Sequence, residues 1–228
     1  MYYMHGRSSS GPKSSTDPVR NQIRLLIEMT WFLHSSRESR GNDLYHSPQS
    51  IRFAAMPIIQ AIPSDTTELV ALVNSAYRGE SSQAGWTTES HLLDGIRIDE
   101  PTMRDYLKAR DTYILKYLND EDVIIACVYL QKFSNNRLYL GMLTVSPKLQ
   151  AGGIGRQLLH EAEAWAKKLD CKTVFMTVIT TRAELIDWYK RRGYIDTGKR
   201  EPFHHGGRFG IPKTEVPIQL MILEKQVL

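Results

Sequence analysis

Cysteine is scarce in this sequence and long apolar segments are missing, which excludes several classes of protein. Two of the 228 residues are cysteines, Cys127 and Cys171. They lack metal-ligand spacing, so we expect two small, buried apolar side chains and neither a disulfide framework nor a metal centre. An apolar stretch at residues 23–33 is interrupted by charges and is far shorter than the roughly 20 residues of a membrane span. We therefore expect no membrane-spanning segment.

Most of the sequence also lacks a strong excess of one charge. The net charge is +4, but residues 1–55 hold seven Lys and Arg against four Asp and Glu. This leaves 22 of the 29 basic residues and 21 of the 25 acidic residues in the remainder, which is almost neutral. A nucleic-acid partner is disfavoured, because binding to phosphate backbones needs a basic surface. The basic run 190–192 is open to two interpretations, contact with ligand phosphates or exposure to solvent.

The first 55 residues differ in composition from the rest. A Ser-rich run at residues 8–15 is typical of a flexible, low-complexity segment. The apolar residues 23–33 are expected to form a short helix on a domain surface. Two alternatives stay open: the extension is an organelle-targeting segment, or Met56 is the true start of the domain. We expect a basic extension over residues 1–55, one domain over residues 56–228, and a cytoplasmic location unless the extension directs the protein elsewhere.

From Met56 onward, the pattern alternates between strands and helices. Three consecutive apolar strands separated by polar turns predict a meander, and amphipathic segments on both sides of it predict helices. The predicted strands are residues 57–61, 112–118, 123–133, 137–145, 173–178, 194–198 and 216–224, and the predicted helices are residues 64–77, 102–109, 154–169 and 182–192. This order predicts an α/β (α+β) fold with a central mixed sheet.

The segment 150–155 reads Gln-Ala-Gly-Gly-Ile-Gly and lies between a predicted strand and a strongly amphipathic helix. Glycines let the backbone approach an anion closely, and the free N–H groups of the helix's first turn point toward that anion. The turn therefore predicts a phosphate site, although an ordinary strand-to-helix connection also uses glycine. A P-loop is excluded because no Lys-Ser or Lys-Thr pair follows, and the glycine order differs from the dinucleotide fingerprint.

The spacing of Gln150, Gly153 and Gly155 resembles the acyl-CoA loop of the GNAT superfamily of N-acetyltransferases. A second block adds to the resemblance. Trp188-Tyr189 and the Gly-Tyr pair at residues 193–194 match the aromatic-Tyr helix of that family and the Gly-Phe or Gly-Tyr that ends it. The resemblance covers roughly residues 56–228. It implies the GNAT fold, a mixed, largely antiparallel twisted sheet of about seven strands flanked by about four helices.

This resemblance implies an enzyme that transfers the acetyl group of acetyl-CoA, without a metal, to a primary amine of a small molecule, peptide or protein. The residues that it implies for cofactor binding are Leu143, Thr144, Val145, Gln150, Ala151, Gly152, Gly153, Ile154, Gly155 and Arg156. One departure stands out: Arg182 occupies a position where the family often has Asn, seven residues before the Tyr. A cofactor contact assigned to that Asn is therefore not carried over.

Tyr189 is the candidate general acid that the resemblance implies, since the family's Tyr faces the thioester sulfur. Acetyl transfer expels CoA as a thiolate, and a phenol with a pKa of about 10 carries the proton that the thiolate needs at neutral pH. The alternative is a purely structural Tyr189, because it shares one helical face with Leu185 and Ile186.

The attacking amine must lose a proton, and the sequence leaves the acceptor of that proton open. Many GNAT enzymes carry a Glu on the strand before the CoA loop, but residues 137–145 contain no Asp or Glu. Glu89 is the remaining candidate base, and Glu89 and Trp86 are candidates for acceptor binding, because the segment between the first two helices borders the acceptor pocket in this architecture. The alternative is that Thr88-Glu89 begins a helix.

Two function classes stay open at this point, an acetyltransferase and a catalytically silent acyl-CoA-binding or interaction module. Tyr189 discriminates between them, because a binding module has no need of a proton donor. His204 and His205 are expected to line the acceptor or face solvent, since adjacent side chains on an extended loop point apart. The expected partner is the amine acceptor, with a homodimer left open.

Overall fold

The computed structural model of the protein describes residues 58–203 and 209–227. The predicted extension, its helix at residues 23–33, Met56, His204 and His205 lie outside these ranges. The strands are β1 (Ile58–Gln60), β2 (Leu93–Asp94), β3 (Thr112–Leu118), β4 (Ile124–Phe133), β5 (Arg137–Val145), β6 (Thr173–Ile179), β7 (Ile195–Pro202), β8 (Ile211–Pro212) and β9 (Gln219–Gln226). The α-helices are α1 (Thr66–Tyr77), α2 (Gly79–Ser82), α3 (Glu100–Lys108), α4 (Ile154–Lys168) and α5 (Ala183–Lys190).

Seven strands form one sheet in the order β1-β3-β4-β5-β6-β9-β7, and β2 pairs with β8 in a separate antiparallel ribbon. Neighbouring strands of the large sheet run antiparallel except for β5 and β6, which are parallel. The mixed, largely antiparallel sheet of seven strands predicted from the sequence is thereby confirmed.

The parallel pairing of β5 with β6 is short. Residues 137–139 pair with residues 173–175, and the strands have no further register partners on each other. A bulge follows in β5, where the register with β4 shifts between Cys127 and Tyr129 and Met142 adopts a φ of 46°. Because a bulge bends its strand, the second half of β5 diverges from β6 and leaves a gap in the sheet.

Helices cover both faces of the sheet, because β4 has apolar side chains on both of its faces. Successive side chains of a strand point to opposite faces. Val128 packs in one hydrophobic core with Leu158 of α4, while Tyr129 packs in a second core with Leu69 of α1 and Met103 of α3. The first seven residues of β4 are consequently all buried, so this strand forms the centre of the domain.

Both cysteines are buried and free, as expected from the sequence. Burial raises the pKa of Cys127 to about 12, so its thiol stays protonated at neutral pH and packs as an apolar group. Within residues 58–203 and 209–227, no group of three or more His, Cys, Asp or Glu side chains is arranged to hold a metal ion. No helix in these ranges has the length and apolar character needed to cross a bilayer.

Several local predictions require correction. The second predicted helix begins two residues earlier, at Glu100, because the Asp99 carboxylate caps it by accepting from the Thr102 N–H at 2.9 Å. Glu89 does not begin a helix, since residues 88–89 are irregular and residues 90–92 form a turn ahead of β2. The sixth predicted strand, residues 194–198, extends four residues further as β7, and residues 211–212 form β8, a strand that was not predicted and that pairs with β2. The described part also contains five helices, one more than expected, owing to the single-turn α2.

A chain that begins at Met56 should fold, because both hydrophobic cores draw on residues from Ile58 onward. We expect an unchanged circular dichroism spectrum and a melting temperature within about 4 °C of the full chain, the shift that roughly 1 kcal/mol produces in a domain of this size. An unfolded truncated chain would demonstrate that residues 1–55 contribute to the core.

Candidate active site

The glycine-rich loop after β5 adopts the backbone conformation of an anion-binding turn. A short 3-10 helix (Pro147–Leu149) follows β5, and the loop then passes through Ala151 at φ 71° and Gly153 at φ 85° before α4 begins at Ile154. The left-handed conformation at Gly153 is strained for any residue with a Cβ atom. The first N–H groups of α4 have no intrahelical acceptors and are available to an anion.

The Gln150 side chain is engaged by protein groups. Its Oε1 accepts from the Trp86 N–H at 2.8 Å, and its Nε2 donates to Thr87 Oγ1 at 2.9 Å and to the Val145 carbonyl at 3.0 Å. Gly85 makes this close approach feasible, because a Cβ atom there would lie only 2.6 Å from Gln150 Oε1. Gln150 therefore ties the loop to residues 85–87, and the ligand-facing groups of the loop are its backbone atoms.

A first cavity of about 410 Å³ opens beside this loop. Among the residues predicted to bind the cofactor, those that line it are Leu143, Val145, Gln150, Ala151, Gly152, Gly153, Ile154, Gly155 and Arg156. Thr144 does not line it, because alternation along β5 turns the side chain into the protein, where its hydroxyl donates to the Met142 carbonyl at 2.9 Å. Trp86 and Trp188 form the opposite wall, with ring centroids 6.2 Å apart.

Two arginines line the first cavity, Arg156 in α4 and Arg192 just after α5. Arg192 stacks on Trp188, with its guanidinium carbon 3.6 Å from the ring centroid, and donates through Nη1 to the Trp188 carbonyl at 2.7 Å. Its buried Nε has no hydrogen-bond partner among the described residues. Burial, together with the charges of Arg191 and Arg156, lowers the pKa of Arg192. A bound anion would relieve this repulsion, so the first cavity fits a ligand with phosphate groups.

A second cavity of about 300 Å³ lies in the gap between the diverging halves of β5 and β6. It shares Tyr77, Leu143, Leu185 and Tyr189 with the first cavity. These four residues therefore form the junction of the two spaces. The charged side chains among its described lining residues are Arg78, Glu89, Arg97 and Arg182.

Tyr189 lies at this junction, and its hydroxyl is available to a ligand. The side chain is 5% exposed, yet its hydroxyl makes no hydrogen bond to any described residue. The other buried tyrosines of the described ranges donate to protein acceptors, namely Tyr77 to Leu143, Tyr117 to Gln157, Tyr129 to Gln131 and Tyr194 to Glu163. Burial, followed by the neighbouring phenols of Tyr77 and Tyr139, raises the pKa of Tyr189. The phenol is therefore protonated at neutral pH.

Glu89 lines the second cavity and is fixed by Arg78. Its Oε2 lies 2.6 Å from Arg78 Nη1, and both side chains are largely buried. Its backbone N–H donates to the Tyr77 carbonyl at 3.1 Å. The other carboxylate oxygen, Oε1, has no hydrogen-bond partner in the part of the chain that the structure describes. Of the two residues predicted near the acceptor, Glu89 borders the second cavity, whereas Trp86 borders the first.

Arg182, the departure from the family pattern, has a positioning role in this fold. It is 2% exposed and donates to the carbonyls of Trp86 and Thr87 at 3.1 and 3.3 Å. Its Nε also pairs with Glu184 at 2.7 Å. Arg182 therefore holds residues 86–87 against α5 from one side, while Gln150 holds them from the other.

Tyr77, Arg78 and Arg97 also line the site, although no sequence pattern predicted them there. Tyr77 and Arg78 end an ordinary amphipathic helix, and Arg97 lies in a polar connection. No local motif distinguishes these residues from solvated surface positions. Only the proximity of their segments to β5 in the folded chain brings them to the second cavity.

Comparison with known proteins agrees with this geometry. The model of the Acetyltransferase (GNAT) family matches residues 68–194, more than half of the chain. This protein belongs to the GNAT acetyltransferase family. Amino-acid acetyltransferases of Azotobacter vinelandii and Pseudomonas putida are 37% and 34% identical to it over 79 residues, which is 34% of this chain. The match spans only 17% of the length of those relatives.

Solved structures confirm the GNAT fold that the sequence resemblance implies. The ribosomal-protein-S18-alanine N-acetyltransferase from Escherichia coli superposes with a TM-score of 0.57 at 15% identity, covering 75% of this chain and 93% of the other. The protein smu.2055 from Streptococcus mutans superposes with a TM-score of 0.57 at 18% identity, covering 76% of this chain and all of the other. At these identities the similarity is evidence for the fold.

Gly153→Val should weaken acetyl-CoA binding at least tenfold. The substitution strains a backbone at φ 85° and places methyl groups at the mouth of the first cavity. The matched control is Gly198→Val in β7, which has a similar φ of 79° and open space around it. Titration calorimetry should detect lower affinity in the Gly153 variant alone. Equal affinities in both variants would contradict an anion site at this loop.

Proposed function

We propose that this GNAT protein is an N-acetyltransferase that transfers the acetyl group of acetyl-CoA to a primary amine. The observation that carries the proposal is the protonated hydroxyl of Tyr189, a largely buried residue at the junction of the two cavities, which has no hydrogen-bond partner within the described residues. A cavity-lining hydroxyl that no described protein group engages is available to a ligand. This position suits a proton donor to a group that passes between the cavities.

The first cavity is the proposed site of acetyl-CoA. The backbone N–H groups of residues 152–155 and the cations of Arg156 and Arg192 suit its phosphates. The apolar side chains of Leu143 and Val145 suit the neutral part of the molecule that leads toward Tyr189. The acetyl group then reaches the junction with the second cavity, where the amine acceptor binds.

Two proton transfers accompany the reaction of a neutral amine. The nitrogen forms a bond to the acetyl carbon, the bond from that carbon to sulfur breaks, and the sulfur needs one proton. Tyr189 donates this proton, and Glu89 accepts through Oε1 the proton that the nitrogen loses. The products are the N-acetylated acceptor and the free thiol of CoA.

The raised pKa of Tyr189 is compatible with the acid role. Burial raises the pKa of a phenol and of a thiol alike, because both become charged when they lose a proton. The desolvated junction therefore makes the phenol a weaker acid and the departing thiolate a stronger base. Protonation of the sulfur at the moment of cleavage avoids a buried thiolate, which is the costly alternative.

The second candidate is a catalytically silent acyl-CoA-binding module. Such a module would use the first cavity alone and would need neither the second cavity nor a free phenol at their junction. The relatives named amino-acid acetyltransferases are named for a transfer reaction, which also favours the enzyme for this chain. The acceptor class proposed on these grounds is a small primary amine.

Tyr189→Phe should lower turnover by about 10²-fold and leave acetyl-CoA affinity almost unchanged, because it removes one proton donor and preserves the packing. Turnover is measured as the rate at which the free thiol of CoA is released, with amines as acceptors. The matched control is Tyr117→Phe, which removes an equally buried hydroxyl that bonds Gln157 outside both cavities. Wild-type turnover in the Tyr189 variant would assign the proton to another group.

The dependence of this effect on pH should follow the raised pKa of Tyr189. A pKa above the ordinary value of about 10 keeps the phenol in its acid form at higher pH than an exposed tyrosine. The ratio of wild-type turnover to that of the Phe variant should therefore stay constant from pH 7 to about pH 9. A ratio that declines in this range would mean that the phenol ionises, and would contradict the acid role.

A further inference from the structure

The second cavity has an uneven set of charges. Three arginines and one glutamate are the charged side chains among its described lining residues. Arg78 is neutralised by Glu89, and Arg182 is paired with Glu184 and bonded to two carbonyls. Among these described side chains, the positive charge without a counterion belongs to Arg97.

Arg97 is positioned rather than loosely exposed. Asn74 of α1 accepts from the Arg97 N–H at 2.7 Å and donates to the Ile98 carbonyl at 2.9 Å, which fixes the backbone at this point. The half-buried guanidinium lies over the Tyr77 ring, 5.7 Å from its centroid. Its side chain makes no ion pair or hydrogen bond within residues 58–203 and 209–227. A half-buried guanidinium with five free donors inside a cavity is suited to a planar anion.

Arg97 and Glu89 act on Tyr77 with opposite signs, which indicates that both charges face the same side chain. Burial, followed by the charge of Glu89, raises the pKa of Tyr77 to about 12, and the charge of Arg97 opposes this shift. The second cavity thus contains two charged groups near Tyr77, the Oε1 atom of Glu89 and the guanidinium of Arg97. Neither group has a hydrogen-bond partner among the described residues. A ligand with one positive and one negative group complements this pair.

We infer that the acceptor is an amine that also carries a carboxylate, of the amino-acid class, and that Arg97 binds its carboxylate. The inference rests on the function proposed above. In this arrangement Glu89 faces the amine end, which meets the acetyl group at the junction, and Arg97 anchors the other end. A cavity of about 300 Å³ is at the lower end of the range for small-molecule sites, so the acceptor is small. Polycationic amines are disfavoured, because Arg97, whose charge has no counterion among the described lining residues, repels a second positive charge.

The experiment compares α-amino acids with their carboxamides as acceptors, with a linear diamine as the polycationic probe. The amide retains the amine and the shape of the acceptor but removes the negative charge. Wild-type protein should use the best amino acid with a kcat/KM about tenfold to hundredfold above that of its carboxamide, the worth of one charge-assisted contact. The diamine should be a poorer acceptor than the carboxamide.

Arg97→Gln should remove the preference for the carboxylate. The KM for the amino acid should rise by roughly 10- to 100-fold, while the carboxamide and the KM for acetyl-CoA are almost unaffected. Arg97→Lys should restore part of the preference, since it retains the charge without the planar donor pair. The matched control is Arg110→Gln, which neutralises a fully exposed arginine outside both cavities.

The outcomes separate this inference from the proposed function. Transfer to the carboxamide or the diamine at a rate equal to or above that of the amino acid, or a preference unaffected by Arg97→Gln, would overturn the inference and leave the acetyltransferase intact. Absence of transfer to any of these amines, with acetyl-CoA bound normally, would count against the proposed function itself. Calorimetry with the CoA-loaded protein adds a test free of turnover: an N-acetylated amino acid should bind more weakly to Arg97→Gln than to Arg110→Gln.

Discussion

The early end of pairing between β5 and β6 is the constraint on which the rest of the site depends. Two parallel strands in one sheet normally continue their ladder, but here only three residues of each strand pair before the bulge at Met142 bends β5 away. The unpaired halves of both strands form walls of the second cavity. A non-glycine residue at positive φ costs of the order of 1–3 kcal/mol.

The segment 85–89 borders the same gap through Glu89, which lines the second cavity. Three polar side chains hold this short connection: Gln150 from the glycine-rich loop, Arg182 from the start of α5 and Arg78 from the end of α1. Each makes at least one partly buried hydrogen bond to the segment, which is costly to break. The segment is consequently a fixed partition, with Trp86 on the first cavity and Glu89 on the second.

A partly buried polar network holds Tyr194, which follows α5 and packs against Tyr189. Tyr194 donates to Glu163 of α4, and Lys225 of β9 donates to both oxygens of the same carboxylate at 2.8 and 2.9 Å. The Tyr194 ring packs edge-on against Tyr189, with centroids 5.7 Å apart. Tyr194 is thus structural, whereas its neighbour one turn earlier has the uncommitted hydroxyl. Tyr189 and Tyr194 thus differ in role, because among the described residues only the hydroxyl of Tyr194 has a hydrogen-bond acceptor.

The sequence by itself determined the order of strands and helices, the glycine-rich loop at residues 150–155 and the Tyr189 helix, because period, turn residues and motif spacing are local properties. It misjudged Thr144 and the start of α3, where side-chain direction or a cap decides. Only the tertiary structure decided the second cavity, the free phenol of Tyr189 and the charges of Arg97 and Glu89 around Tyr77. The physical reason is distance along the chain: Arg182 finds its acceptor at Trp86, 96 residues away, and whether a buried polar group has a partner depends on contacts that no local pattern encodes.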